Sequence, residues 1–343
     1  VTKINGKNWK RSDLLRWVGS PKQLGGMTRV HLAEGVGQGT SAVEVDTGGG
    51  LRFRILLDRG MDITEASYNG LPLAWISPMG EAHPARFDPH GAGWLRTFPG
   101  GLVTTCGLSQ TGAPCEDQGE ALGVHGRYTS LPAEEVALRS WWEGDHYHFS
   151  VSGLMREAVI FGENLALRRT IACRLGEPGF HLRDEVTNEG FTSSPHMILY
   201  HCNFGFPLIG PATRLLTPAR KIVPRDADAS EGSDSACFFE EPTPGYREKV
   251  YFHEMPNTDN ETITVSLNNP ELRHGITASL SYSASSLPYF TEWKMMGEGT
   301  YVCGLEPGNA LVMGRAEERR AGRLTILEPG EKRDYELSFR VEG

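Results

Sequence analysis

His201 and Glu306 are the side chains this sequence places best for moving protons. His201 sits in Tyr200-His201-Cys202-Asn203-Phe204-Gly205-Phe206-Pro207, and Glu306 in Gly304-Leu305-Glu306-Pro307-Gly308. Each is a titratable group inside an apolar segment punctuated by Gly and Pro, the pattern of a strand end. An imidazole and a carboxylate brought face to face can take a proton from one oxygen while giving one to its neighbour. Opening and reclosing a sugar hemiacetal requires that pair of transfers. The two residues are far apart in the chain, so only a large folded sheet can bring them together.

The rest of the sequence supplies such a sheet. The chain has 343 residues with 41 Gly and 21 Pro, which predicts many turns and few long helices. Ala42 to Asp46 and Leu51 to Leu57 alternate around Thr47-Gly48-Gly49-Gly50, as a hairpin does. Tyr147, Phe149 and Val151 alternate with His148, Ser150 and Ser152, and similar runs recur as far as Asp334 to Val341. No composition break marks a linker and no internal repeat is evident. The expectation is an all-β fold, a large antiparallel β-sandwich forming a single domain over 1–343. Residues 1–25 read as an N-terminal extension with a short helix over 8–18, with Ser12 as a possible cap. Residues 211–247, rich in Pro, Asp and Ser, read as a long surface connection.

Composition narrows the function classes. A net charge of −9 argues against nucleic acid or an anionic membrane as partner. Six Cys, at 106, 115, 173, 202, 237 and 303, form no CxxC pair. They suit free thiols in a reducing compartment, and with no leader pattern in view the expected location is cytoplasmic. No apolar run approaches the roughly 20 residues needed to span a bilayer. No nucleophile elbow, phosphate loop, dinucleotide fingerprint or HExxH helix occurs, so no cofactor is expected. His146 and His148 share a strand face at i, i+2, but no third ligand is apparent and no metal is expected. A homo-oligomer is left open.

Three motifs in order carry a family resemblance. Pro195 to Gly210, with its central Tyr-His-Cys-Asn-Phe-Gly, resembles the second-histidine segment of galactose mutarotase-like (aldose 1-epimerase) proteins. Val302-Cys303-Gly304-Leu305-Glu306-Pro307 resembles their C-terminal segment carrying a glutamate base. Gly123-Val124-His125-Gly126-Arg127 resembles their first histidine segment. Leu57 to Asp62, Trp94 to Gly101 and Trp293-Lys294-Met295 look like a divergent subgroup of that superfamily. Tyr200 and Asn203 depart from the archetype, which has Asn before this histidine and aromatics after it.

The resemblance implies a supersandwich fold and a small-molecule sugar as partner. It casts Glu306 as general base, His201 as general acid and His125 as a further catalytic group near the ring oxygen. Arg59, Arg96 and Arg127 could grip hydroxyls or an acidic sugar through paired N–H donors. Asn203, His253, Trp293 and Lys294 complete the expected substrate contacts, His253 by position alone. Trp94, Phe206 or Trp293 could offer a flat face to the ring. Each residue also has a plainer reading: a satisfied core histidine, a solvated carboxylate, an Arg59 ion-paired with Asp58 or Asp62, a core tryptophan. At the level of function, two alternatives to an aldose 1-epimerase stay open. One is a non-catalytic carbohydrate-binding protein. The other is a different sugar isomerase, epimerase or lyase acting on a modified or acidic sugar.

Overall fold

The computed structural model describes residues 1–4, 6–256 and 262–343. Among the described residues its strands form two large antiparallel sheets, a smaller one and two two-stranded pairs. The first large sheet runs Glu134–Glu143, His146–Ala158, Asn164–Arg174, Gly179–Asn188, Lys332–Glu342, Ile276–Ser283, Thr262–Asn269, Arg214–Leu216. The second, which carries the site, runs Lys221–Pro224, Lys249–Glu254, Tyr289–Gly297, Thr300–Gly308, Ser194–Gly205, Thr325–Leu327. Thr104–Leu108 also pairs with Ser194–Gly205. A third sheet runs in chain order from Gly26–His31 to Leu71–Pro72.

The burial pattern explains why the sheets stack. In Gly179–Asn188, Phe180, Leu182 and Val186 are buried while His181 and Arg183 are exposed, so one face turns inward. Phe180 stacks on Phe339 at 5.5 Å, and Phe339 on Phe204 of the site sheet at 6.2 Å, which joins the two large sheets. The fold is a large antiparallel β-sandwich. Ser194–Gly205 is buried almost throughout, because loops cover its other face. That covering makes the His201 segment read as a continuous apolar run.

A buried polar network fixes the same strand from the core side. Arg169 donates to Asp184 Oδ1 at 2.9 Å and to Thr105 Oγ1 at 2.9 Å, and Tyr200 donates to Asp184 Oδ2 at 2.8 Å. Burial raises the Asp62 carboxyl to about 6 despite the neighbouring Arg169.

Two local expectations are corrected. The helix expected over 8–18 is a single turn, Arg11–Leu14, preceded by a hairpin of Thr2–Ile4 with Lys7–Trp9. Strand pairing takes up Asn8 and Trp9. The Arg11 N–H donates to Asp145 Oδ1 at 2.9 Å, so a distant loop satisfies the helix start, and Ser12 lies inside the turn. The 211–247 segment is more than a surface connection. It adds Arg214–Leu216 to one large sheet and Lys221–Pro224 to the other, and it then turns through a short helix, Ala227–Ser230. Among the described residues, no helix is long and apolar enough to cross a membrane.

Candidate active site

Sheet register brings His201 and Glu306 together. Ser194–Gly205 and Thr300–Gly308 pair with Cys202 opposite Leu305 and Leu199 opposite Gly308, which brackets the two residues. On the far side of Glu306 stands Thr291, and on the far side of His201 stands Thr104. His201, Glu306 and Thr291 therefore form a row across three strands, all on one face.

That face is one wall of a cavity of about 310 Å³. The 3₁₀ turn Gly93–Arg96 supplies Trp94, and Phe98 follows it. Trp94 stacks on Phe98 at 4.3 Å and lies 4.7 Å from the His125 ring. The His201 ring lies 5.4 Å from Phe98, 5.4 Å from Trp293 and 5.6 Å from His125. Aromatic rings thus hold both imidazoles at the cavity wall.

His201 Nε2 stands 3.1 Å from Glu306 Oε1. Glu306 Oε1 and His201 Nδ1 are both buried with no hydrogen-bond partner, so the contact at Oε1 lacks the alignment of a hydrogen bond. Buried polar atoms are seldom left this way, and a site awaiting a ligand is one reason for it. Burial acts on both charges. It holds Glu306 well above the usual carboxyl range, helped by nearby Glu248 and opposed by Arg225. It holds the His201 imidazole well below its usual value, helped by His125. The pair is therefore uncharged, with one proton to share.

His125 is set by its turn. Its φ of 57° and the φ of 74° at Gly126 are left-handed. A Cβ on Gly126 would meet the Gln110 carbonyl oxygen at 2.4 Å, so glycine is required there. His125 Nδ1 accepts from the Gly112 N–H at 3.2 Å, which leaves the ring proton on Nε2. Burial lowers this imidazole to about 4.

The structure brings His201, Glu306, His125, Trp293 and Trp94 to the cavity and leaves Arg59, Arg96, Arg127, Asn203, His253, Lys294 and Phe206 outside it. Lys294 follows Trp293 in a strand, so its side chain leaves the opposite face. There it pairs with Glu240 at 2.7 Å and donates to the Ser235 carbonyl at 3.1 Å. His253 is on that opposite face as well. It contacts Glu292 at 3.0 Å and borders a different cavity of about 410 Å³. Asn203 points at backbone, donating to the carbonyls of Gly101 at 3.0 Å and His201 at 2.9 Å. Arg59 is in the core, where it donates to the Ala82 carbonyl at 2.7 Å and Thr129 Oγ1 at 3.2 Å. It has no ion pair with Asp58 or Asp62, because Asp62 is taken by Arg169 and Asp58 accepts from the Ser41 N–H. Arg96, Arg127 and Phe206 are exposed and outside the cavity lining.

Sequence reasoning missed Arg225, Glu248 and Thr291 on the cavity wall. Glu248 accepts from Trp293 Nε1 at 2.9 Å and from Arg225 Nη2 at 3.0 Å, and Arg225 Nε donates to Asp226 at 2.8 Å. Nothing local in the 211–247 segment signals this. Thr291 could have been found from strand parity with Trp293. Among the described residues, no group of three or more His, Cys, Asp or Glu is arranged to hold a metal ion.

Comparison with known proteins agrees with this architecture. A family model described as "Domain of unknown function (DUF4432)" matches residues 37–341. A solved structure described as a "putative aldose 1-epimerase" from Klebsiella pneumoniae is 25% identical with a TM-score of 0.87, covering 99% of this chain and 90% of that one. A galactose mutarotase-like protein from Clostridium acetobutylicum is 11% identical with a TM-score of 0.64, covering 92% of this chain and 98% of that one. A galactose 1-epimerase from Lactobacillus acidophilus is 12% identical with a TM-score of 0.57, with coverage of 92% and 98%. The fold is that of the galactose mutarotase-like proteins. Among curated proteins, no sequence matches the chain.

Proposed function

The chain belongs to the DUF4432 family, and from its site we propose that it is an aldose 1-epimerase, a carbohydrate-active enzyme that interconverts sugar anomers by acid–base ring opening. One observation carries the reading. An imidazole and a carboxyl stand 3.1 Å apart on the wall of a cavity, buried, and with polar atoms left unpartnered.

The anomeric hydroxyl and the ring oxygen are bonded to the same carbon, so a pair this close can reach both. The proton rests on Glu306, which gives it to the ring oxygen, and His201 takes the proton of the anomeric hydroxyl. The C1–O5 bond breaks and the anomeric oxygen becomes the aldehyde oxygen. After the aldehyde turns over, the two transfers run backwards and close the ring on the other face. Proton and electron pair are returned, so nothing is consumed. This assigns Glu306 and His201 the reverse of the starting roles expected from the resemblance, because burial favours the uncharged pair. His125, with its proton on Nε2, donates to the oxygen that carries the developing charge. Trp293 and Trp94 offer apolar faces to the ring, and Glu248 holds the Trp293 indole in place.

The test is anomer exchange followed by NMR or polarimetry over a panel of aldoses. Wild type should accelerate at least one. Glu306→Gln and His201→Asn should each lower that rate by at least ~10²-fold in folded protein. No acceleration across the panel, including acidic sugars, would overturn the proposal. Deuterium from solvent appearing at a sugar carbon would point instead to an isomerase or lyase.

A further inference from the structure

We infer that the loop tips carrying Ile160, Phe161 and Phe191 form a docking face for a second copy of this chain, paired about a two-fold axis. Among the described residues these are the three most exposed large apolar side chains, at 81%, 105% and 99%. Strand register gathers them at one end of one sheet. Ala158 pairs with Asn164, which leaves residues 159–163 as the tip of a hairpin. Leu165 pairs with Asn188, which sends Phe191 out beside that tip. The Glu189 N–H donates to the Asn164 carbonyl at 2.9 Å, and Arg156 donates to both Asn164 Oδ1 and the Glu189 carboxylate, so the two tips are tied together. None of these residues lines the cavity, so the inference goes beyond the proposed function and does not depend on it.

The single chain gives these side chains nothing to bury against. Phe161 adopts a φ of 68°, a left-handed conformation unfavourable for a bulky residue, and its exposed ring recovers nothing in return. An apolar patch with a polar rim marks a contact surface. Three features select a second copy as its occupant. The first is area. Two phenylalanines bury about 300–500 Å² between them, and each side of a standard interface contributes about 800 Å². Ile160 and Val159 add to the apolar part, and the rim of Arg156, Glu163 and Glu189 supplies the rest, which is the usual balance of apolar core and polar rim. The second is self-complementarity. A two-fold axis sets Phe161 of each copy against Phe191 of the other, so both aromatic contacts form at once. The third is charge. Residues 159–163 and 189–193 carry Glu163 and Glu189 and no lysine or arginine, which disfavours an anionic membrane. Arg156 at the rim offers the opposite sign to the facing copy's Glu163.

The test is sedimentation velocity on the full chain over a concentration series, comparing wild type with the double variant Phe161→Asp, Phe191→Asp. Wild type should be a dimer, and the double variant should raise the dissociation constant by at least ~10²-fold. Phe161→Ser and Phe191→Ser, measured singly, cover the case where the charged pair misfolds, and each should raise it at least ~10-fold. A wild type that stays monomeric up to about 100 µM overturns the inference. So does a dimer that none of these variants weakens, because its interface then lies elsewhere on the chain. A monomer that floats with phosphatidylcholine vesicles, and loses that binding in the double variant, would assign the tips to a lipid surface and overturn the inference as well.

Discussion

Gly304 makes room for Glu306. A Cβ built on Gly304 would lie 2.7 Å from Glu306 Oε1, and it would also lie 3.1 Å from His201 Cε1 and from Trp293 Cβ. Glycine in this segment is required for space rather than for backbone conformation. Gly304→Ala should push the carboxyl off the imidazole while the strand stays paired. Displacement on the scale of 1 Å costs about 10²-fold in rate, and overpacking costs about 1–3 kcal/mol in stability. Measuring exchange rate and urea unfolding on the same sample checks both, and a fully active Gly304→Ala would show that the His201–Glu306 spacing does not matter.

The pH profile of catalysis follows from the directions of the shifts. The working pair carries one proton. A second proton, on His201, is resisted by burial, and His125 is held at about 4 for the same reason. The acid limb of kcat/KM should therefore fall well below the ordinary imidazole value of about 6.5. Loss of the single proton is also resisted, because Glu306 is raised well above the usual carboxyl range by burial. The rate should stay level through pH 6.5. A clear inflection there would mean that an ordinary, solvated histidine controls the reaction.

Much of this site was legible in the sequence, and the part that was not has a physical cause. His201, Glu306 and His125 each sit in a short motif that resembles a segment of the galactose mutarotase-like proteins, and that resemblance, in order along the chain, singled them out. The alternation of strands such as Gly179–Asn188 made the sandwich legible as well. Arginine as a residue type said nothing about direction. Arg59 went to the core, Arg96 and Arg127 to solvent, and the cavity received Arg225 from a segment that looks like a plain loop. Pairing Trp293 with Lys294 as joint ligands ignored the two-residue period of a strand, which sends neighbours to opposite faces.

That parity makes a separate prediction for Lys294. Its ammonium is fully buried and holds Glu240 and the Ser235 carbonyl, so it anchors the segment that carries Glu248 from behind the sheet. Lys294→Met should destabilise the protein by about 1–3 kcal/mol, because it leaves the Ser235 and Phe238 carbonyls without their donor, while Glu240 is partly exposed to solvent. At a temperature where the variant is folded, kcat should change far less than in Glu306→Gln. Calorimetry with a rate assay on the same sample checks this. A large loss of kcat with unchanged stability would instead put Lys294 in contact with substrate.

His196 provides a pH signature in stability rather than rate. It is fully buried, with Nδ1 3.0 Å from the Leu108 carbonyl oxygen and Nε2 2.7 Å from the Tyr335 hydroxyl. The carbonyl can only accept, so Nδ1 carries the proton and Nε2 accepts from Tyr335. Burial lowers the imidazole to about 4, against about 6.5 in the unfolded chain. Between those values the unfolded state binds the extra proton and the folded state does not, so the stability His196 contributes is complete above pH 6.5 and is lost as pH falls toward 4. The full loss is about 3 kcal/mol. His196→Gln has no imidazole to protonate, so the stability gap between wild type and variant in urea unfolding should shrink by about that much from pH 7 to pH 4. A gap that stays constant over this range would mean that His196 is protonated as readily in the folded protein as in the unfolded chain, and the neutral Leu108–His196–Tyr335 bridge would have to be abandoned.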